Sequence, residues 1–283
     1  MHQSNRIRTG IVFSGGIAKG AYQIGFCRAF MERPAFRLSA VSAASVGTLN
    51  GYALSSGKVG LAETLWRNIN TKSFREIYNK VFRHSLVFEL IEKICSESDH
   101  LNVPLYSVFW VPNSLRPKYI QFNQLDQKSR LDFLKASISL PPVMKPVEID
   151  GVKFYDGAII DNTPLHPLFP HQLDFIISIQ FDGYIPAQVQ QDSSCPILFL
   201  NLQNYNGFYD SFHLSRNEVE TMMEYGYTVG SRVLSRLEQA FLESGTFRHL
   251  IADYNSTLKE NPVSGDYVFR RVNRLSRRLQ PPS

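Results

Sequence analysis

Apolar positions along the chain fall into short continuous runs and helix-spaced stripes, and the two kinds alternate from the start. Residues 8–14 (RTGIVFS) read as a short buried strand, followed at once by Gly15-Gly16-Ile17-Ala18-Lys19-Gly20. From Ala21 the apolar positions Ile24, Cys27, Ala29, Phe30 and Met31 predict a helix that stops before Pro34. A second strand is expected over 38–42, then Ala43-Ala44-Ser45-Val46-Gly47 and a small-residue helix to about residue 56. Strand, turn and helix thus occur twice in succession, which is α/β organisation. Residues 61–100 carry a helical stripe through Trp66, Ile69, Phe74, Ile77, Val81 and Phe82, and 86–94 continue its character. Further on, 119–122 reads as a strand, 129–139 as a helix ended by Pro141-Pro142, and 152–155 as a strand closed by an Asp156-Gly157 turn. The apolar runs 175–181 and 196–201 have the length of central strands. Val219, Met222, Met223 and Tyr227 open a long helix over 216–243. No repeat, low-complexity tract or linker interrupts this order. Residues 1–283 are therefore expected to form one domain, with 61–120 as a covering subregion.

Composition narrows the class. With 43% hydrophobic, 12% aromatic and 19% charged residues, the chain has the material for a large core and cannot be a disordered chain. Three widely spaced cysteines (Cys27, Cys95, Cys195) exclude a disulfide scaffold and fit a reducing compartment. The net charge of +5 sits in one place, because Arg270, Arg271, Arg274, Arg277 and Arg278 form an acid-free end. Removing those five from the 30 basic residues leaves as many as the 25 acidic ones. A neutral body argues against a nucleic-acid partner, whose basic footprint would extend over the domain. No apolar stretch has the length of a membrane span, and MHQSNRIRTG lacks the apolar core of a signal peptide. The expected location is cytoplasmic. No calcium loop, acidic cluster or Cys/His spacing for zinc is present, so no cofactor is expected.

Three places could carry chemistry. The glycine loop after the first strand can aim backbone N–H groups into a shared space at a helix N-terminus, as a phosphate or oxyanion site requires. It matches neither G-x-G-x-x-G nor Walker A, because Ala21 and Tyr22 stand where Lys and Ser/Thr are needed. It also reads as a plain tight turn. In Ala43-Ala44-Ser45-Val46-Gly47 a serine stands on a strand-to-helix turn with small residues two places either side, a variant of G-x-S-x-G in which Ala43 replaces a glycine. The same serine could simply cap a helix. Asp156-Gly157 places a carboxylate at a strand end, and is equally a common turn. Asp161-Asn162-Thr163-Pro164 reads as a structural cap with Pro near a helix start. The seven histidines (2, 84, 100, 166, 171, 213 and 249) stand in no recognisable catalytic context, so a Ser-His-Asp triad has no positive support.

Taken together, SGGIAKGAYQIG, SAASVGTLNG and EIDGVKFYDGAIIDNTPL, the last preceded by SISLPPVMKPV, resemble the patatin-like phospholipase family over about residues 9–180, with a weaker echo at Glu224-Tyr225-Gly226-Tyr227. The resemblance implies a three-layer α/β/α fold with a central mixed, mostly parallel sheet. It implies a Ser-Asp dyad in which Ser45 is nucleophile and Asp156 base. It also implies an oxyanion loop formed by the amides of Gly15, Gly16 and Ile17 near Lys19, with Ala43, Gly47 and Gly157 shaping the elbow and turn. The substrates it implies are phospholipids or related acyl lipids, hydrolysed without calcium in the chemistry. Two departures stand out. Ile17 replaces the third glycine of the family's loop, so the backbone there must keep φ negative or carry strain. Ala43 adds one methyl at the elbow. An acyltransferase on the same dyad, or a catalytically weak lipid-binding or scaffold protein, are the alternatives. Val268, Val272, Leu275 and Leu279 form one helical stripe with the arginines on the other side, and 268–279 are expected to meet a membrane surface.

Overall fold

The structure is a computed structural model that describes residues 6–69, 91–95, 100–142, 144–181, 184–186, 195–202 and 215–261. Ten strands occur among them: β1 (Ile7–Phe13), β2 (Phe36–Ala43), β3 (Leu105–Trp110), β4 (Lys118–Gln121), β5 (Val147–Ile149), β6 (Val152–Asp156), β7 (Phe175–Gln180), β8 (Tyr184–Pro186), β9 (Ile197–Asn201) and β10 (Lys259–Asn261). The helices with described boundaries are α1 (Gly20–Met31), α2 (Val46–Ser55), α3 (Val59–Asn68), α4 (Gln127–Ser137), α5 (Arg216–Ser244) and α6 (Arg248–Asn255). Eight strands make one mixed sheet in the order β5-β6-β3-β2-β1-β7-β9, with β4 against β3. Neighbours from β3 to β9 run parallel, while β4, β5 and β6 add an antiparallel edge.

Burial follows the strand period. Ile11 and Phe13 of β1 point into the larger core with Phe26 and Phe30 of α1, whereas Val12 points to a smaller core with Leu165, Leu168 and Ile176. Both faces of β1 and β7 are covered, which is why these strands read as unbroken apolar runs rather than alternating ones. Helix α1 crosses α5 very closely. A methyl on Gly25 would collide with the Met223 carbonyl, and one on Gly226 with the Tyr22 carbonyl. Helix α5 opens with a capping box between Ser215 and Glu218 and closes on Gly245, whose φ of 67° only glycine adopts cheaply.

Strand β3 decides where the antiparallel edge meets the parallel sheet. Its residues 106–109 pair with β4 on one side, so β2 and β6 must share the other. Pairing with β2 ends at Ala43↔Ser107, and β6 begins at Phe109↔Asp156. Asp156 is therefore delivered just beyond the carboxyl end of β2, where Ser45 lies. The expected α/β class and mixed sheet are those observed. β6 is the strand expected over 152–155, whereas β3, and β5 with its hairpin turn into β6 (Asp150 and Gly151 both at positive φ), were not placed by the sequence. The helix expected to start near Pro164 is a correction. Asp161 accepts from its own Thr163 N–H at 3.1 Å, and the chain forms only a 3-10 turn over His166–Leu168. The stretch 70–90, 96–99 and the arginine-rich 268–279 lie outside the described residues.

Candidate active site

The site is built where β1, β2 and β6 end. β2 stops at Ala43, Ala44 N–H is held by Phe13 O at 3.0 Å, and Ser45 takes φ 55° and ψ −135° before α2 begins at Val46. A serine held there costs about 1–3 kcal/mol of backbone strain. The surrounding structure enforces it: a methyl on Gly47 would lie 2.6 Å from Phe13 O, so the helix can leave the strand this sharply only with glycine. Ala43 fits without strain. It is fully buried at the end of β2, and the facing position on α2 is Gly51, whose added methyl would stand 3.6 Å from that of Ala43. The half-buried Ser45 Oγ sits at the N-terminus of α2, where the helix dipole favours developing negative charge.

Asp156 is 1% exposed. Burial pushes its carboxyl up to about 7 from the usual 3.8, while hydrogen bonds from the Ser45 hydroxyl and the Ala158 N–H (2.9 Å) pull partly back. Its backbone N–H is tied to Ser139 O at 3.0 Å. Gly157 is required by contact, because a methyl there would lie 2.5 Å from the Val108 carbonyl. Ala44, Val108 and Ala158 form the apolar wall behind the carboxylate.

The glycine loop closes the third side. A methyl on Gly15 would stand 2.7 Å from Ser45 Cβ, so loop and elbow are in direct contact. Gly15 N–H donates to Asn162 Oδ1 at 2.9 Å, and Asn162 Nδ2 reaches back to Gly15 O at 3.4 Å. Of the three amides anticipated as anion donors, that of Gly15 is thus already spent on the loop carrying Asp156. Those of Gly16 and Ile17 have no acceptor among the described residues. Gly16 is extended at φ −171° and packs on Phe181, where a methyl would lie 2.6 Å from the ring. Lys19 is buried, with Nζ 5.7 Å from the centre of the same ring.

Ile17 resolves the alternative that the sequence posed: its φ is 52°, so the loop keeps the geometry of a glycine and carries the strain. This leads to a prediction. Ile17→Gly gives up a half-buried side chain but relieves about 1–3 kcal/mol of strain. The variant should melt within about 1 kcal/mol of wild type, far less than the usual cost of truncating an apolar side chain. Urea unfolding of the two proteins checks this, and a loss above about 3 kcal/mol would contradict it.

Residues missed in the sequence hold the loop from behind. Gln23 Nε2 donates to Ser14 O (2.7 Å), Asn50 Nδ2 to Gly20 O (2.9 Å) and to Gln23 Oε1 (2.8 Å), and Trp66 Nε1 to Asn50 Oδ1 (3.0 Å). All three side chains are buried, so every bond lost there strands a polar group. Beside Ser45 and Asp156, Tyr119 O–H donates to the buried Asp161 at 2.7 Å. Burial raises the Asp161 carboxyl, and burial together with the Asp161 charge raises the Tyr119 phenol. His166 stacks on Tyr119, and His171 bonds Tyr106 at the far end of the sheet. Among the described residues there is no His/Cys/Asp/Glu group able to hold a metal ion, and no helix is long and apolar enough to cross a membrane.

The sequence matches the family model described as patatin-like phospholipase over residues 11–169. It is 24% identical over 232 residues to the lysophospholipase NTE1 of Cryptococcus neoformans, covering 76% of this chain and 14% of that protein. It is 22% identical over 187 residues to an uncharacterized NTE family protein of Mycobacterium tuberculosis, covering 64% and 51%. The chain therefore spans about a seventh and about half of these two relatives. Among solved structures, VipD from Legionella pneumophila aligns with a TM-score of 0.47 at 12% identity, over 81% of this chain and 67% of that one. The ExoU–SpcU complex from Pseudomonas aeruginosa aligns at 0.41 and 14% identity, over 96% and 61%.

Proposed function

The chain belongs to the patatin-like phospholipase family, and from that premise we propose that it is a serine acyl hydrolase of phospholipids or related acyl lipids. The observation that carries this reading is the contact between Ser45, strained at its elbow, and the buried carboxylate of Asp156. Asp156 takes the hydroxyl proton as Ser45 Oγ bonds to the ester carbonyl carbon. The carbonyl oxygen becomes an oxyanion, held by the N–H groups of Gly16 and Ile17, each worth about 3–4 kcal/mol in comparable acyl-transfer sites. The positive charge of Lys19 and the N-terminus of α2 act in the same sense. Collapse breaks the ester bond, and Asp156 returns its proton to the departing lysolipid or alcohol. Water then attacks the acyl-enzyme, giving a proton to Asp156, which passes it to Ser45 Oγ as the fatty acid leaves.

A carboxylate is a weak base at its ordinary pKa, and burial corrects this by bringing Asp156 to about 7. Gly15 serves the reaction through position: its bonds with Asn162 fix the distance between oxyanion loop and base. The retained N–H of Ile17, at a glycine-like φ, speaks against the weakly catalytic lipid-binding reading.

The test is product analysis on vesicles of phosphatidylcholine with and without phosphatidylserine. Free fatty acid is expected from both. Release of none, from these or from lysophosphatidylcholine, would overturn the hydrolase, and acyl transfer to an added alcohol at the expense of fatty acid would favour the acyltransferase. The same vesicles examine residues 268–279. We propose that this basic amphipathic stretch docks on anionic lipid, each arginine contributing about 1 kcal/mol. Deleting 268–283 should weaken binding to phosphatidylserine vesicles while leaving hydrolysis of a soluble ester unchanged, and undiminished vesicle binding would reject the role.

A further inference from the structure

At the end of the sheet away from Ser45, residues at the start of β1 and β2 and just before β7 and β9 line a cleft of about 1140 Å3. Arg6, Arg8, Arg37 and Arg248 line it, against the single carboxylate of Asp174. Asp174 is already committed to Arg8, taking its backbone N–H at 2.7 Å and its guanidinium at 2.8 Å. Arg8 and Arg37 are also direct partners in the β1–β2 register, which sets two like charges side by side with only that of Arg8 offset by Asp174. Neither Arg6 nor Arg37 has a carboxylate partner among the described residues.

A second feature points the same way. Helix α6 begins on the rim of this cleft, with Phe247 at its N-cap and the Arg248 N–H held by Thr246 Oγ1 at 3.3 Å. The positive end of the helix dipole thus stands at the rim of a space lined by guanidinium groups, which favours a negatively charged group there. Phe241 and Phe247 give the cleft an apolar wall, so the ligand need not be bare phosphate.

We infer that this cleft is a binding site for a molecule bearing two or more phosphate groups, distinct from the ester-cleaving site. The seven residues of β1 separate the two by about 20 Å. A lipid ester delivered to Ser45 comes from a membrane facing the carboxyl ends of the strands, and that distance sets the cleft away from the same surface. The chemistry is therefore that of a soluble polyphosphate or phosphorylated metabolite, with a lipid phosphate headgroup as the competing source.

Calorimetric titration of the whole chain with sodium tripolyphosphate at physiological ionic strength tests the site. The wild type should show saturable binding, and Arg6→Gln/Arg37→Gln should weaken it at least tenfold while hydrolysing a soluble ester at the wild-type rate. Binding to the arginines of 270–278 would survive in that variant, so only the component lost with Arg6 and Arg37 reports on the cleft. Vesicles containing phosphatidic acid distinguish the source. Unchanged vesicle binding by the variant assigns the soluble ligand, and parallel loss assigns the headgroup. Absence of saturable tripolyphosphate binding, or equal affinity in wild type and variant, would overturn the inference.

Discussion

Asp156→Asn is expected to lower turnover of an acyl ester by at least about a thousandfold, the upper part of the range for removing a positioned base. Asn matches Asp in size and can still accept from Ala158 N–H, so the fold should survive. In the wild type the carboxylate must be ionised to take the Ser45 proton, so turnover should rise with pH through about 7 and then level off. The residual activity of the variant should not follow that curve. His166→Ala and His171→Ala should each keep most of the wild-type rate, and loss of turnover in either, with the fold intact, would speak for a triad instead.

Stability carries an independent signature of the same burial. The folded carboxyl titrates at about 7 and the unfolded one near 3.8, so between these values the native state holds a proton that the unfolded chain has released. The stability supplied by this group is thus fully present below about pH 4, falls as pH rises towards 7, and is absent above that. Asn cannot ionise. The melting temperature of Asp156→Asn should therefore decline less than that of wild type between pH 5 and pH 8, and identical declines would contradict the burial-driven shift.

The second large effect lies outside the site. Gly226→Ala should destabilise the protein by about 3 kcal/mol, roughly 5 °C in melting temperature for a chain of this size. The added methyl meets the Tyr22 backbone carbonyl of α1, and backbone cannot rotate away as a side chain can. Gly25 makes the reciprocal contact with Met223, so moving the helices apart to admit one methyl would open the larger core along both. Gly60→Ala is the control. Nothing lies within 4 Å of its added methyl in the first turn of α3, and helix propensity alone should leave it neutral or more stable by up to about 1 kcal/mol. Thermal melts of both variants decide the matter, and equal melting temperatures would sink the close-crossing explanation.

The contrast between those glycines shows what a sequence reveals. Gly226 stood out only as a faint echo of a family pattern, because its reason lies some two hundred residues away on α1. Ser45, Asp156 and the glycine loop were legible as candidates because their signals are local: small residues flank a sharp turn, and a carboxylate ends a strand. Strands β7 and β9 were legible for a similar reason, since burial on both faces leaves uninterrupted apolar runs. Strand β3 was not, because Ser107 and its flanking aromatics give no clean period, and its role in bringing β6 to the end of β2 is purely tertiary. The Asn162 bonds to Gly15 span 147 positions, so the stretch 161–164 looked only like a cap, the commoner local use of such residues. Ile17 illustrates the remaining gap. Its β-branch identified two backbone solutions, and only the contacts of the folded loop select the strained one.

In the proposed mechanism Ser45 forms the acyl-enzyme. The most direct measurement is turnover of a soluble chromogenic acyl ester by wild type and Ser45→Ala, with peptide mass analysis after rapid acid quench. Burst release of the alcohol by wild type, an acyl mass on the peptide containing Ser45, and neither in Ser45→Ala are the predicted results. Equal turnover by the two proteins, or an acyl mass on another residue, would contradict it.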